Sequence, residues 1–154
     1  MEIRERVNVV SPDTVMEPLL SLLGETSAVP LVVSGSSMTP FLAPGRDTVY
    51  LSAISEPLRR GDIVLYRRDN GRYVLHRVLR VSEEFYTMLG DAQTIPEQGI
   101  RRDQILAIVC AVRRKGKMLR KGDFWWFFFR RVWICLVPLR PGIRGAYEFI
   151  KNRR

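Results

Sequence analysis

The chain has 154 residues, of which 46% are hydrophobic and 27% charged, and this composition predicts one folded domain and excludes an intrinsically disordered protein. Its net charge of +9 is unevenly distributed, because residues 1–100 carry 10 Lys and Arg against 13 Asp and Glu, whereas residues 101–154 carry 15 against 3. No uncharged apolar run reaches 18 residues, which excludes a conventional membrane-spanning helix. Residues 1–10 lack the apolar core of a secretion signal.

The first predicted element is a short amphipathic helix. Ser11 and Asp13 are suitable caps for it and Gly24 is a suitable stop, although Pro18 within the segment weakens the prediction. Short runs of aromatic and branched residues then alternate with Gly, Pro and Asn, which is typical of strands. The predicted strands are Val29 to Val33, Asp47 to Leu51, Gly61 to Arg67, the run after Gly71, residues 84–89 and residues 103–112. The fold class predicted is mainly β.

Asn70 and Gly71 are the strongest local signal, because Asn-Gly between two apolar runs favours a two-residue type I′ hairpin. Such a turn would place Leu65 opposite His76, so that the ring would share one apolar face of the sheet with Ile63 and Leu65. Burial there would keep the imidazole neutral and able to accept a proton. A general base and a buried structural histidine both fit this expectation.

Cys110 and Cys135 are widely separated and lack metal-ligand spacing, so we expect both to be free thiols and expect no metal site. The segment from Ser34 to Pro40 is a serine-rich loop with a Gly-containing turn. A serine after such a turn can expose its hydroxyl and leave its own N–H free to stabilise an oxyanion. By itself this loop is a weak signal.

A more specific pattern emerges when four segments are read in order. They are Val33-x-Gly35-x-Ser37-Met38-x-Pro40, Arg60-Gly61-Asp62-Ile63-Val64, Tyr73-Val74-Leu75-His76-Arg77-Val78 and Leu89-Gly90-Asp91. Together they resemble the conserved boxes of signal peptidases, members of the S24/S26 superfamily of serine peptidases, which also contains self-cleaving LexA-like repressors. The resemblance covers about half of the chain. It implies the signal-peptidase β fold for residues 28–118.

The resemblance also implies a mechanism. Ser37 would be the nucleophile and His76, the only histidine, the general base, as in the archaeal and endoplasmic-reticulum subtype; bacterial enzymes carry a lysine in that box. Asp91 would orient the imidazole, with Glu97 as the alternative acid. Ala92-Gln93 departs from the asparagines usual after the Gly-Asp pair. The reaction would be hydrolysis of a peptide or preprotein, with no metal or organic cofactor.

The tail, residues 119–154, is aromatic and basic. On a helix, one apolar stripe would form, with Arg130 and Arg131 towards the other side; it consists of Trp125, Phe129, Val132, Trp133 and Leu136. This pattern favours a helix lying in the interface of an anionic membrane, and the alternative is an aromatic helix packed over the β body. Nucleic acid is not expected as a partner, because the contiguous aromatic run is too apolar for a stacking platform kept in water.

The expected organisation is therefore an N-terminal helical segment (1–27), a catalytic β domain (28–118) and an interfacial helical tail (119–154). The resembling family usually has an N-terminal anchor and acts outside the cytoplasm. No such anchor is visible before Ser37, so the expected location is peripheral, on the cytoplasmic face of a membrane. Two other functions stay open, namely a LexA-like self-cleaving regulator and a non-catalytic membrane-surface binding module with the same fold.

Overall fold

The computed structural model describes residues 12–153 of the chain, so the predictions for residues 1–10 and for the cap at Ser11 lie outside the described residues. The predicted fold class is confirmed, since one eight-stranded antiparallel sheet follows a short N-terminal helix, α1 (Pro12–Leu22), and precedes a C-terminal helical segment. Helix α1 contains Pro18 and packs Met16 and Leu19 into the core.

Six of the eight strands fall where the sequence predicts them. The strands are β1 (Val29–Val32), β2 (Thr48–Ser52), β3 (Ile63–Arg67), β4 (Tyr73–Val81), β5 (Phe85–Leu89), β6 (Glu97–Arg101), β7 (Ile105–Arg114) and β8 (Lys117–Arg120). Their order across the sheet is β1-β2-β7-β3-β4-β5-β6, and β8 pairs with β7 beyond the end of β3. Strands β6 and β8 are the two that the sequence analysis missed. Both are short and polar, so alternating hydrophobicity does not reveal them.

The hairpin between β3 and β4 differs from its prediction by one residue of register. The Arg68 N–H donates to the Arg72 carbonyl at 2.8 Å, which closes a three-residue loop in place of the predicted two-residue turn. Only Gly71 of this loop has a positive φ, 85°, whereas a type I′ turn requires positive φ at Asn70 as well. A type I turn followed by one left-handed glycine therefore replaces the predicted turn.

This register changes which side chains accompany the histidine. Val64, and not Leu65, lies opposite His76, and because side chains alternate, a one-residue slip moves the whole set to the other face. His76 thus shares its face with Val64 and Tyr66, while Ile63 and Leu65 face the opposite side. The predicted grouping of His76 with Ile63 and Leu65 is wrong.

Two apolar clusters cover the two faces of the sheet. The larger contains Met38, Phe41, Leu42, Val49 and Leu65, together with aromatic side chains from the C-terminal segment. The smaller is made of Leu58, Val64, Tyr66, Val78, Met88, Ile100 and Ile105. The loop that carries Ser37 thus rests on the larger cluster, and Tyr66 belongs to the smaller one.

The C-terminal segment begins at Phe124 and is not a single regular helix. It consists of α2 (Phe124–Phe127), a π-helical turn (Phe128–Val132), a 3₁₀ segment (Trp133–Leu139) containing a kink, and α3 (Arg140–Lys151). None of the helices within residues 12–153 has the length and apolar character needed to cross a bilayer.

The predicted membrane-facing stripe is mostly turned inwards. Phe129 and Trp133 are buried in the larger cluster beside Trp126, and Leu136 packs against it. Phe129 and Trp133 therefore pack as the packed-helix alternative expects, whereas Trp125 and Val132 of the same stripe stay exposed. Arg130 supports the packing, because its Nη1 donates to Asp62 at 2.8 Å.

Candidate active site

Ser37 lies in the turn between β1 and β2, on top of the larger cluster. The Met38 side chain is buried beneath this turn, and Ser37 itself is half-buried. The Ser37 carbonyl accepts a hydrogen bond from the Ala92 N–H at 2.9 Å. Among residues 12–153 the Ser37 N–H has no hydrogen-bond partner, so it is free to bind an oxyanion.

Ser37 and His76 line the same cleft, although they come from distant parts of the chain. The cleft has a volume of about 270 Å³, and its walls include Val33, Tyr73 and Leu75. Within the described residues, no hydrogen bond joins the Ser37 hydroxyl to the imidazole. Catalytic hydrogen bonds are often formed only in the complex with substrate, so this geometry is compatible with a serine–histidine pair.

The histidine ring is held from behind by a chain of polar side chains. Nδ1 of His76 is 3.0 Å from the Tyr66 hydroxyl, which in turn donates to Oε2 of Glu97 at 2.7 Å. The guanidinium of Arg68 binds both oxygens of Glu97, at 2.8 to 3.1 Å. Within the described residues the other ring nitrogen, Nε2, has no hydrogen-bond partner.

Burial sets the protonation of these groups. Only 2% of His76 is exposed, and burial, together with the charge of Arg68, lowers the pKa of the imidazole to about 4 against the opposing effects of Glu97 and Asp91. Burial alone would raise the pKa of Glu97, but hydrogen bonds from Arg68 and Tyr66 outweigh it, so that this pKa lies below its usual value. Burial and then the hydrogen bond to Glu97 raise the pKa of Tyr66. At neutral pH the ring and the phenol are neutral and Glu97 is charged.

Asp91 is directed elsewhere than the sequence predicts. Its carboxylate forms two hydrogen bonds with Arg77, at 2.9 and 2.8 Å, and both side chains are almost completely buried. Nη1 of Arg77 also donates to the Gly61 carbonyl at 2.8 Å. Within residues 12–153 no hydrogen bond joins Asp91 to His76, so the contact predicted between them is not formed. The alternative acid, Glu97, is the one connected to the ring, through Tyr66.

The loop of residues 90–93 packs against the backbone of Ser37. A Cβ atom at Gly90 would lie 2.5 Å from the Ser37 carbonyl oxygen, which is closer than such atoms approach, so the close packing of these two backbones requires a glycine. The Ala92 N–H then bonds that same oxygen. The Gly-Asp pair therefore acts through its backbone on the serine turn and through its carboxylate on Arg77.

The C-terminal segment binds every carbonyl of this loop. Trp133 donates from Nε1 to the Asp91 carbonyl at 2.9 Å, and Arg144 donates to that of Ala92 at 3.2 Å. Nη1 of Arg140, a residue only 1% exposed, donates to the carbonyls of Gly90 and Gln93 at 3.1 and 2.8 Å. The segment thus supports the loop that holds Ser37.

Four residues that organise this site were not predicted from the sequence: Tyr66, Arg77, Trp133 and Arg140. Arg77 directly follows the histidine, and a charged residue between apolar residues of a strand is a signal for a buried ion pair. Tyr66 could have been found only with the correct hairpin register. Nothing in the local sequence connects Trp133 or Arg140 with residues 90–93.

Comparison with known proteins adds no assignment, because no protein-family model, no curated protein and no solved structure matches this chain.

Proposed function

We propose that this protein is a serine endopeptidase of the signal-peptidase type, in which Ser37 attacks the peptide carbonyl and His76 is the general base. The observation that supports it is the common cleft, which is lined by half-buried Ser37 and by the only histidine of the chain. Serine is a poor nucleophile at its own pKa, and a neutral imidazole that accepts its proton makes attack possible. The order of the four sequence boxes supports the same assignment.

The catalytic steps follow from the groups present. The proton of Ser37 would move to Nε2 of His76 as the hydroxyl oxygen bonds the carbonyl carbon, and the Ser37 N–H would stabilise the oxyanion. The imidazolium would then give the proton to the leaving amine as the C–N bond breaks, and a water molecule deprotonated by the same nitrogen would hydrolyse the acyl-enzyme and restore the Ser37 hydroxyl. A positioned base of this kind contributes about 10²–10⁴-fold to the rate. The apolar walls of the cleft, among them Val33 and Leu75, would receive the side chains of an extended peptide.

Covalent labelling tests the proposal. The full-length protein is treated at pH 8 with a serine-directed acylating reagent, and the modified residue is located by mass spectrometry. We expect a single adduct on Ser37, absent from Ser37→Ala and strongly slowed in His76→Ala. Ser34→Ala is the matched control, because Ser34 lines the same cleft, and it should label like the wild type.

Other outcomes would contradict the proposal or favour a different function. Labelling that persists in Ser37→Ala would remove the nucleophile assignment, and no labelling of any form would favour the binding-module function. A LexA-like regulator would instead cut its own chain, which appears as two fragments formed at a rate independent of protein concentration. Because the imidazole has a pKa of about 4, the labelling rate attributable to His76 should stay constant as the pH falls from 8 to 5. It should decline only as the ring becomes protonated near pH 4.

We further propose that the C-terminal segment contacts an anionic membrane surface through its exposed apolar side chains. Phe124 and Phe127 are 67% and 55% exposed, and Trp125 beside them is 46% exposed. Helix α3 is strongly amphipathic, and the exposed Ile143 and Tyr147 lie on one of its faces. Aromatic and basic residues together favour the headgroup region of anionic bilayers, where each Lys or Arg contributes roughly 1 kcal/mol.

Vesicle co-sedimentation of the full-length chain tests this second proposal. We expect binding to vesicles that contain phosphatidylserine, weaker binding to pure phosphatidylcholine, and a loss of binding in Phe124→Ser/Phe127→Ser. Phe85→Ser is the control, since Phe85 is an exposed aromatic residue of the β body. Equal binding of the wild type and the double variant would overturn the proposal. Removing the tail is not a suitable test, because its buried aromatic side chains belong to the core.

A further inference from the structure

The Tyr66 hydroxyl lies between two groups that compete for its single proton. Nδ1 of His76 is 3.0 Å away on one side, and Oε2 of Glu97 is 2.7 Å away on the other. A phenol has one proton to donate and oxygen lone pairs to accept with, whereas an ionised carboxylate only accepts. The direction of both hydrogen bonds is therefore decided by the charge state of Glu97.

Glu97 is ionised, because the fork of Arg68 binds both of its oxygens. A carboxylate in this position must receive the phenolic proton; otherwise two oxygens would face each other at 2.7 Å without a hydrogen between them. The Tyr66 oxygen is then left as an acceptor towards His76. Since Tyr66 has no second proton, the hydrogen between the two residues must be carried by Nδ1.

We propose that Tyr66 and Glu97 are positioning residues, which hold neutral His76 in its Nδ1–H tautomer and so direct the Nε2 lone pair into the cleft. The tautomer follows from the hydrogen bonds alone. Its role, to present a proton acceptor to Ser37, rests on the proposed function. A base of the opposite tautomer would offer an N–H to the hydroxyl and could not accept its proton.

The inserted phenol also explains why the ring is neutral although a carboxylate is near. A carboxylate bound directly to imidazole favours the charged ring and raises its pKa. Here two carboxylates act on the ring from a distance: Glu97 is bound to Tyr66 and paired with Arg68, and Asp91 is bound to Arg77. Tyr66 thus orients the His76 ring without strongly favouring its protonated form.

Nitrogen NMR tests the tautomer without any use of activity. Because the chain contains one histidine, uniformly ¹⁵N-labelled protein gives one pair of imidazole nitrogen signals at pH 7. We expect Nδ1 protonated and Nε2 unprotonated in the wild type, and a shift towards a mixture of tautomers in Tyr66→Phe. Tyr86→Phe is the matched control, because Tyr86 packs against the same apolar cluster, and it should retain the wild-type signals.

The labelling rate of Ser37 at pH 8 tests the role. We expect a fall of about tenfold to a hundredfold in Tyr66→Phe, part of the 10²–10⁴-fold that a base contributes, and a smaller fall in Glu97→Gln than in Glu97→Ala, because an amide oxygen still accepts from Tyr66. An Nε2–H signal in the wild type, or an unchanged tautomer in Tyr66→Phe, would overturn the positioning role even if Ser37 is labelled. Failure of the wild type to label at all would instead remove the proposed function and leave the tautomer result standing.

Discussion

Mild acid should destabilise this protein, and one side chain should account for the effect between pH 7 and pH 5. His76 is buried in a neutral form, with a pKa lowered from 6.5 to about 4 by burial and by the charge of Arg68. The unfolded chain therefore binds a proton in this range more readily than the folded chain does. By linkage, the stability contributed by the neutral ring is fully present above pH 6.5, falls as the pH decreases, and is lost by about pH 4.

The magnitude follows from the two pKa values. A difference of 2.5 units corresponds to about 3 kcal/mol of unfolding free energy between the limits, at 1.36 kcal/mol per unit. Between pH 7 and pH 5 the expected loss is about 2 kcal/mol, because the unfolded imidazole is already mostly protonated at pH 5 and the folded one is not. With His76 the only histidine, few other groups titrate in this window. The pKa values of Glu97 and Asp47 are lowered in the folded chain, so protonation of these two carboxylates reduces the stability further only below pH 5.

Urea unfolding at pH 7, 6 and 5, at constant ionic strength, measures this loss. The reference variant is His76→Asn, whose amide can donate to Tyr66 as Nδ1–H does but does not titrate. The variant should be less stable at pH 7 because it leaves space in the core, yet its stability should change little down to pH 5. Parallel pH profiles for the two proteins would refute the reasoning, because they would mean that His76 is not buried in its neutral form.

Three further substitutions test how the site is supported. Gly90→Ala should slow acylation of the candidate nucleophile by tenfold or more, measured by its labelling rate, because the added Cβ would meet that residue's carbonyl at 2.5 Å; Gly142→Ala, with open space around its Cβ, should not. Asp91→Asn should cost about 3–5 kcal/mol in urea unfolding, because it leaves a buried guanidinium unpaired, whereas Asp69→Asn, in an exposed pair, should cost at most about 1 kcal/mol. Trp133→Phe keeps an aromatic ring but removes the donor to the 90–93 loop, and should lower both the unfolding free energy, by about 1–3 kcal/mol, and the labelling rate. Wild-type values for Gly90→Ala or Trp133→Phe would show that the loop does not position the nucleophile.

Several features of this protein were readable from sequence because they depend on neighbouring residues. Alternating branched and aromatic residues predicted six strands and the mainly β class, and the apolar surroundings of His76 predicted a buried neutral ring. The ordered boxes singled out Ser37 and His76, which line one cleft. Peptidase activity itself stays a prediction.

The register of the β3–β4 hairpin could not be predicted from the local sequence. Asn70-Gly71 correctly marked a turn, but two loop lengths were compatible with it, and they place opposite sets of side chains on each face. Only the paired strands decided between them, and with that choice came the contact of His76 with Tyr66.

The partners of Asp91 and Glu97 and the packing of the tail depend on contacts between residues that are distant in sequence. Asp91 and Glu97 were both plausible partners for the imidazole, and the folded chain separated them by placing Arg77 on one and Tyr66 on the other. The aromatic stripe of the tail was equally suited to a bilayer and to a protein core, because both bury apolar surface. The apolar composition of the stripe favoured burial, and only the tertiary structure decided that Phe129 and Trp133 are buried against the β body while Trp125 stays exposed.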